Sequence, residues 1–238
     1  MRRCVIPISG GLDSTVILHM AKKELNFDEI YCLAFDYGQR HVRELECAYK
    51  QAHTLDVDDF NVLDLRFFKH IVTTSSLTNK DIDVAKTKDI LGDPQTVNYV
   101  PFRNMMLLSI CCSYAESVEA DTVFHGAALV DSQAGYWDGS KEFLTCLNKV
   151  TELNRRHRVN VEAPLIELSK KEIIEKGIDL HVDFSNTHTC YSGEKIADAS
   201  NPASAARIKG FMDAGFIDPI KYKQKIPWKD YNCTKLPY

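Results

Sequence analysis

One short run, Ser9–Thr15 (Ser-Gly-Gly-Leu-Asp-Ser-Thr), constrains the fold of this chain more than any other stretch. It follows the apolar residues 4–8 and precedes an amphipathic stretch at 16–21, so it predicts a strand, a tight turn and a helix. Two glycines let the backbone turn sharply and approach a ligand closely. Ser14 and Thr15 place hydroxyls at a helix start, where unpaired N–H groups and the helix dipole favour an anion. The alternative is an ordinary strand–helix turn capped by Asp13 or Ser14.

Strand and helix patterns alternate through the first half of the chain. Apolar strands are predicted at 3–8, 29–35, 60–65 and 122–125, and helices at 14–25, 41–55 and 104–118. This alternation indicates an α/β fold with a doubly wound parallel sheet and right-handed crossovers. Ligands of such sheets bind at the carboxyl ends of the strands, near the switch point. The first turn and the 36–40 turn should therefore flank one crevice.

The rest of the chain has weaker patterns. Residues 67–98 and 126–140 are predicted loops, 141–157 a helix and 161–166 a short strand. Ser169 and Glu172 have capping-box spacing and start a helix that should end at Gly177. Residues 1–182 are interpreted as one nucleotide-binding domain, and 183–238 as a small irregular part with one helix at 203–214 and a tail.

Composition excludes several classes of protein. A chain of 238 residues with 45% apolar residues can bury a core, and a net charge of −4 offers no field for nucleic acid. No apolar run approaches the roughly 20 residues of a membrane span, and no secretory signal is recognisable. Eight cysteines are scattered without C-x-x-C spacing. We expect a cytoplasmic protein with buried thiols and with neither nucleic acid nor membrane as a partner.

The Ser9–Thr15 run resembles the pyrophosphate loop of the ATP pyrophosphatase (PP-loop) superfamily, and it lacks the Gly-Lys-Ser/Thr of a Walker loop. Further segments narrow the resemblance to the 7-cyano-7-deazaguanine synthase (QueC) family, from Val5 to about Pro219. They are Phe-Asp-Tyr-Gly-Gln-Arg-His at 35–41, Val-Pro-Phe-Arg-Asn at 100–104, Gly-Tyr-Trp-Asp at 135–138, Glu-Phe at 142–143, Ala-Pro-Leu-Ile at 163–166, Leu-Ser-Lys-Lys-Glu-Ile-Ile at 168–174, Cys-Tyr at 190–191 and Arg-Ile-Lys-Gly-Phe at 207–211.

The resemblance implies a Rossmann-like fold of the adenine nucleotide alpha hydrolase kind and an ATP-dependent ligase of queuosine biosynthesis. Such an enzyme adenylates 7-carboxy-7-deazaguanine, lets ammonia displace AMP to give the amide, and then dehydrates the amide to the nitrile with a second ATP. The implied cofactors are ATP and Mg²⁺, and a homodimer is expected.

Roles carry over residue by residue. Asp13, Arg103, Asp138 and Lys170 are the expected catalytic residues. The expected ATP contacts are Ile8, Ser9, Gly10, Gly11, Leu12, Asp13, Ser14, Thr15, Phe35 and Arg40, and the expected substrate contacts are Tyr37, Gln39, Arg103, Asn104, Asp131, Tyr136, Asp138 and His188. Six of these residues have a structural alternative: surface ion pairs for Arg40 and Arg103, core packing for Tyr37, exposed loop carboxylates for Asp131 and Asp138, and helix capping for Lys170.

The chain departs from the family at the zinc site, which uses four cysteines, the last three spaced C-x-x-C-x-x-C. Those three positions hold Asp198, Asn201 and Ser204 here, so that Cys190 is the only remaining ligand. One thiolate among oxygen neighbours makes a poor tetrahedral zinc site. We expect no zinc, with this segment held by hydrogen bonds instead or left loose.

A second departure lies beside the substrate. A family Tyr-Pro-Asp-Cys-Arg reads Tyr-Trp-Asp-Gly-Ser at 136–140, and a family Trp-Ser reads His-Thr at 188–189. These changes predict a reshaped, wider mouth and leave the amine open: the alternative to ammonia is a larger amine, such as a protein N-terminus or lysine in a phage or antiviral-defence setting. Two rival functions remain: a different ATP pyrophosphatase, such as an amidotransferase-type synthetase or a tRNA thiolase, and a non-catalytic nucleotide-binding subunit.

Overall fold

A computed structural model describes residues 1–39, 42–79, 81–86, 97–191 and 194–237. The strands are β1 (Arg3–Pro7), β2 (Glu29–Asp36), β3 (Asp59–Asp64), β4 (Thr122–Phe124) and β5 (Asn160–Glu162). The helices are α1 (Leu12–Lys23), α2 (Val42–Thr54), α3 (Phe68–Ile71), α4 (Arg103–Ser117), α5 (Leu129–Gln133), α6 (Lys141–Thr151), α7 (Lys170–Asp179) and α8 (Pro202–Asp213).

The five strands form one parallel sheet in the order β3-β2-β1-β4-β5. The chain winds outward from β1 to β3 and then returns to the other side of β1 to form β4 and β5. The predicted doubly wound α/β fold is confirmed. Its switch point lies between β1 and β4, and the loops after these two strands diverge at the carboxyl edge of the sheet, where such folds bind ligands.

Alternation along β1 divides the core into two layers. Cys4 and Ile6 pack with α1, α7 and α8 on one face of the sheet, whereas Val5 packs with α4 on the other. Successive side chains of a strand point to opposite faces, and both faces of this sheet are covered by helices, so β1 reads as a continuous apolar run. The helices of both layers therefore hold the loop after β1 in place from two sides.

Several predicted boundaries were wrong. Gly177 does not end α7 but lies inside it, where a Cβ would come within 2.4 Å of the Phe184 ring; the glycine is used for close packing and not for a helix stop. Helix α6 ends at Thr151, β5 is only three residues long, and the predicted loop at 126–140 contains α5. Short elements such as these carry too few residues for a clear periodicity.

The irregular C-terminal part shares the core of the rest. Phe184 and Phe211 are fully buried and pack edge to face in the same cluster as α1 and α7. A domain boundary at 182 stays a sequence prediction. No helix in the described part of the chain has the length and apolar character needed to cross a membrane.

Candidate active site

The Ser9–Thr15 turn sits at the switch point with its backbone pressed against α2. Gly10 has a φ of +77°, and a Cβ at this position would lie 2.0 Å from the carbonyl oxygen of Glu44. Only glycine satisfies both the left-handed backbone and this contact. Gly11 is the N-cap of α1 and has no side chain to occupy the helix N-terminus. Among the first N–H groups of α1, the Leu12 N–H is bonded to Thr189 Oγ1 at 3.3 Å, and no N-cap side chain covers the N–H groups that follow it.

The hydroxyls of the turn divide between two tasks. Ser9 Oγ lies 3.1 Å from Ser14 Oγ and accepts a hydrogen bond from the Gly11 N–H at 3.2 Å. Thr15 is fully buried and donates from Oγ1 to the Gly11 carbonyl at 2.8 Å. Ser9 and Ser14 therefore face the cleft as expected, whereas Thr15 braces the turn from behind.

Lys170 and Asp13 form an ion pair at the Ser9–Thr15 turn. Lys170 Nζ lies 2.6 Å from Asp13 Oδ1, and both side chains are largely shielded from solvent. Ser169 caps α7 with the predicted capping box, which brings Lys170 into the first turn of that helix. Gly210 of α8 lets the lysine stem pass, because a Cβ there would lie 2.6 Å from Lys170 Cγ. The lysine is thereby aimed at the Ser9–Thr15 turn.

A cleft of about 880 Å³ opens in front of the turn. Most of the residues predicted from the sequence line it: Ile8, Ser9, Gly11, Leu12, Asp13, Ser14, Phe35, Tyr37, Gln39, Arg103, Asn104, Asp131, Tyr136, Asp138 and Lys170. Gly10, Thr15 and His188 do not line it, and Arg40 lies outside the described residues. A cleft of this size can hold a nucleotide together with a small second substrate.

Arg103 begins α4 and is surrounded by aromatic and acidic groups of the cleft. Burial works against its charge, but Tyr37, Tyr191 and Asp138 offset that cost, and the pKa of Arg103 lies above its usual value. Burial raises the pKa of Tyr37, and Arg103, to which Tyr37 is hydrogen-bonded, opposes the rise. The guanidinium is a permanent cation positioned for a phosphate or a carboxylate.

Asp138 is buried in the wall of the cleft, where its backbone carbonyl oxygen accepts a hydrogen bond from His125 Nε2 at 2.8 Å. Burial lowers the pKa of His125, so this ring is neutral at neutral pH. Beside Asp138, the rings of Tyr99 and Tyr136 stack at 6.3 Å, and Trp137 Nε1 donates to the Tyr99 hydroxyl at 2.8 Å. This wall combines a carboxylate with flat rings, as a planar heterocycle requires.

The wider mouth expected from positions 139 and 140 stays a prediction, but the space next to Gly139 itself is occupied. A Cβ at Gly139 would lie 2.6 Å from Asp131 Cβ, so α5 fills the space beside this glycine. Asp131 Oδ2 accepts a hydrogen bond from the Ala128 N–H at 2.8 Å, and burial raises the pKa of Asp131. Ser140 caps α6 by accepting from the Phe143 N–H at 3.1 Å. Gly139 thus allows Asp131 to pack closely against it, and Ser140 serves as a helix cap.

His188 lies behind the Ser9–Thr15 turn. Its backbone N–H donates to the Gly10 carbonyl at 2.9 Å, and Thr189 Oγ1 accepts from the Leu12 N–H at 3.3 Å. The His188 ring is buried, and its Nε2 finds no hydrogen-bond partner among the described residues. The segment after α7 thus supports the turn from below and contributes Thr189 and Tyr191 to the cleft.

The donor sets differ in their fit to the two implied metals. Asp13 keeps one carboxylate oxygen outside its Lys170 contact, and Mg²⁺ needs only one or two carboxylates besides phosphates and water, so this site fits. The zinc positions do not fit, because Cys190 Sγ already accepts from the Asp198 N–H at 3.2 Å and from Asn201 Nδ2 at 3.3 Å. Among the described residues no His, Cys, Asp and Glu side chains converge in a group of three or more.

Sequence reasoning missed Glu44, His125 and Tyr99, which also line the cleft. Glu44 lies on the same face of α2 (positions i, i+3, i+4 and i+7) as buried Cys47, Ala48 and Gln51. An ionisable residue on that packing face could have been recognised in the sequence as a candidate site residue. His125 follows β4 directly, at the carboxyl edge of the sheet. Nothing local marks Tyr99 as a site residue.

Comparisons with known proteins agree with this geometry. The family model described as "Queuosine biosynthesis protein QueC" matches residues 3–215. The 7-cyano-7-deazaguanine synthase of Clostridium kluyveri is 36% identical over 94% of this chain and 99% of its own length, and that of Oceanobacillus iheyensis is 38% identical over 93% and 98%. The corresponding protein of Thermoplasma volcanium is 34% identical over 99% and 97%.

Solved structures with the same fold are more distant. The NMN synthetase of Francisella tularensis has a TM-score of 0.50 and 14% identity over 96% of this chain and 83% of that one. The U34-tRNA thiolase NcsA of Methanococcus maripaludis has a TM-score of 0.50 and 14% identity over 88% and 64%. These likenesses show the fold, and the sequence matches show the family: the chain belongs to the QueC family of the PP-loop superfamily.

Proposed function

We propose that this chain uses ATP to activate the carboxylate of 7-carboxy-7-deazaguanine as an acyl-adenylate, releases pyrophosphate, and transfers the acyl group to an amine with release of AMP. With ammonia as the amine the product is an amide, which a second ATP-dependent step dehydrates to 7-cyano-7-deazaguanine. The observation that supports this most directly is one cleft lined by the Ser9–Thr15 turn, by the cations of Lys170 and Arg103, and by an aromatic wall.

The residues divide the work of adenylation. The N–H groups of the Ser9–Thr15 turn and Lys170 Nζ hold the phosphates that leave as pyrophosphate. Arg103 neutralises the charge that develops between the α-phosphate and the attacking carboxylate. When bound, Mg²⁺ would neutralise the leaving phosphates, and Asp13 is the residue that would hold it. Asp138 accepts hydrogen bonds from the donor-rich edge of the deazaguanine ring.

A larger amine is the second candidate acceptor, because the cation expected beside Asp138 is missing. Position 139 has no side chain, and the Ser140 hydroxyl is occupied as a helix cap. A fixed cation there could orient an amide for its second activation, and a serine cannot. A protein N-terminus or lysine would give a substituted amide, at which the reaction stops.

The test supplies 7-carboxy-7-deazaguanine, ATP, Mg²⁺ and ammonium and follows AMP and the deazaguanine products by mass spectrometry. AMP that forms only when 7-carboxy-7-deazaguanine is present, together with the nitrile, supports the synthase reaction. AMP without nitrile supports a diverted acceptor. Bound ATP with no AMP would leave a non-catalytic nucleotide-binding subunit as the function.

Asp13→Asn provides the first residue-level prediction. We expect pyrophosphate exchange dependent on the acid to fall about 100-fold or more, because the amide is neutral and can neither pair with Lys170 nor hold Mg²⁺ as a carboxylate does. Asp28→Asn, on an exposed turn of the same chain, is the matched control and should exchange at the wild-type rate. Normal exchange by Asp13→Asn would contradict the assignment of the loop.

A further inference from the structure

Glu44 places a carboxylate in the cleft that the adenylation chemistry above does not use. It lies in the first turn of α2, directly behind the phosphate loop, where its backbone carbonyl packs on Gly10. Its half-buried side chain lines the cleft together with Arg103 and Tyr37. Placing an ionisable side chain on the packing face of a helix costs free energy of folding, so Glu44 is a candidate for a functional role.

The other acidic groups of the cleft have tasks of their own. Asp13 pairs with Lys170 at 2.6 Å, and Asp131 caps the start of its own helix. Asp138 is buried, only its backbone carbonyl is bonded to His125, and its carboxylate is assigned to the deazaguanine ring in the proposed function. No hydrogen bond or ion pair within the described part of the chain engages the Glu44 carboxylate. Glu44 is thus a cleft carboxylate that is able to accept a proton during a reaction.

Charged and titratable groups surround Glu44 on several sides. They are Arg103 from α4, Tyr37 from the end of β2, Cys190 and Tyr191 from the segment after α7, and Cys47 from its own helix. Burial raises the pKa of Glu44 to about 8, and Arg103 limits that rise. A base with a pKa near the working pH transfers protons most effectively.

We propose that Glu44 is the general base of the amine-transfer step, which rests on the proposed function. The amine nitrogen attacks the acyl carbon of the adenylate, and a C–N bond forms. The proton that the nitrogen must lose passes to the Glu44 carboxylate. The bond between the acyl carbon and the phosphate oxygen then breaks, and its electron pair leaves with AMP. Adenylation itself needs no base, because a carboxylate is already the nucleophile.

The pH dependence follows from the raised pKa. At neutral pH most of the Glu44 carboxyl is protonated, and the ionised fraction grows as the pH rises through about 8. Amine transfer should therefore accelerate between pH 7 and 9 and then level off. Methoxyamine is the probe amine, because it is already unprotonated throughout this range and contributes no titration of its own.

The experiment measures two half-reactions in each variant. Pyrophosphate exchange dependent on 7-carboxy-7-deazaguanine reports adenylation, and single-turnover transfer to methoxyamine reports the second step. We expect Glu44→Gln to keep exchange within about threefold while transfer falls about 100-fold or more and loses its rise with pH. Glu46→Gln, an exposed position on the same helix, is the matched control. Glu44→Asp should recover part of the rate and the rise with pH.

The outcomes separate the two proposals. If the wild-type protein shows no pyrophosphate exchange that depends on 7-carboxy-7-deazaguanine, the proposed function and this inference are both overturned. Normal wild-type exchange with equal losses of exchange and transfer in Glu44→Gln would overturn only the inference, since Glu44 would then position ATP. Transfer by Glu44→Gln at the wild-type rate would overturn it as well. Exchange that persists in the variant also establishes that it is folded.

Discussion

At the scale of single residues, Gly10 has the closest packing of the glycines that the structure describes. Its carbonyl accepts the His188 N–H, while its α-carbon faces the backbone of α2. The residue is thus held between two segments that are far apart in sequence. A side chain here would disturb both the phosphate loop and the start of α2.

Gly10→Ala should lower the free energy of unfolding by about 2 kcal/mol or more, because overpacking and a strained left-handed backbone add. Urea denaturation measures this change. Gly126→Ala is the control: a Cβ at Gly126 meets no atom within 4 Å, so its effect should stay below about 1 kcal/mol. Equal stabilities of the two variants would contradict the close contact between Gly10 and Glu44.

At the scale of elements, α8 is fastened by a buried ion pair. Arg207 Nε lies 2.6 Å and Nη2 2.9 Å from the two carboxylate oxygens of Asp218, and the Tyr222 hydroxyl donates to Asp218 Oδ2 at 2.6 Å. Arg207 also donates to Thr187 Oγ1 at 2.7 Å. This network ties α8 and the tail to the segment that supports the phosphate loop.

Asp218→Asn should cost about 3 kcal/mol in the free energy of unfolding, because it leaves the buried Arg207 cation without a counter-charge. Asp213→Asn removes the partner of the exposed Lys209 on the same helix and should change stability by less than about 0.5 kcal/mol. Thermal or urea unfolding of both variants provides the comparison. A small effect at Asp218 would show that solvent reaches the pair.

The hydrogen-bonded loop around Cys190 leads to a prediction about metal removal. Ser204 Oγ donates to the Thr189 carbonyl at 3.0 Å, and Gln224 Nε2 donates to Asp198 Oδ1 at 2.9 Å. These bonds occupy the positions where zinc ligands would converge. A strong chelator should leave the melting temperature unchanged, and elemental analysis should find less than about 0.1 zinc per chain. One zinc per chain, or a marked fall in melting temperature, would contradict this.

The sequence predicted the long elements and the strand–turn–helix around Ser9–Thr15 because their signals are local. The glycine turn between β1 and α1 and the capping box of α7 each depend on a few adjacent residues. The packing role of Gly177 and the filling of the space at Gly139 depend on Phe184 and Asp131, which no local pattern connects to them. Most of the cleft residues were predicted from family motifs. Glu44 was missed because it lies outside the motifs that were used to assign roles.

At the scale of the whole molecule, stability should depend on pH through buried imidazoles. Burial, aided by the charge of Lys23, lowers the pKa of His19 below its ordinary value of 6.5. Below pH 6.5 His19 therefore binds a proton in the unfolded chain but not in the folded state. The contribution of neutral His19 to the free energy of unfolding is lost as the pH falls. Glu44 and Asp131 act in the opposite direction, because burial raises the pKa of both carboxyls.

His19→Gln isolates the imidazole from these opposing groups. As the pH falls from 6.5 towards the folded-state pKa of His19, the free energy of unfolding of the variant should rise relative to that of the wild type. The expected rise is up to about 1.4 kcal/mol for each pH unit, whatever the absolute stability of the variant. Urea unfolding of both proteins at pH 5, 6, 7 and 8 measures the difference. A difference that stays constant over this range would show that His19 titrates equally in both states.

The bond between the His188 N–H and the Gly10 carbonyl makes the backbone a reporter of ligand binding. Deuterium can replace this amide proton only when the turn and the supporting segment separate. A ligand that binds only the assembled turn must dissociate before that opening occurs. At a ligand concentration of about 100 times Kd, the opening costs a further 2.7 kcal/mol or so. Exchange at residue 188 should then slow about 100-fold, which gives a binding measurement without turnover.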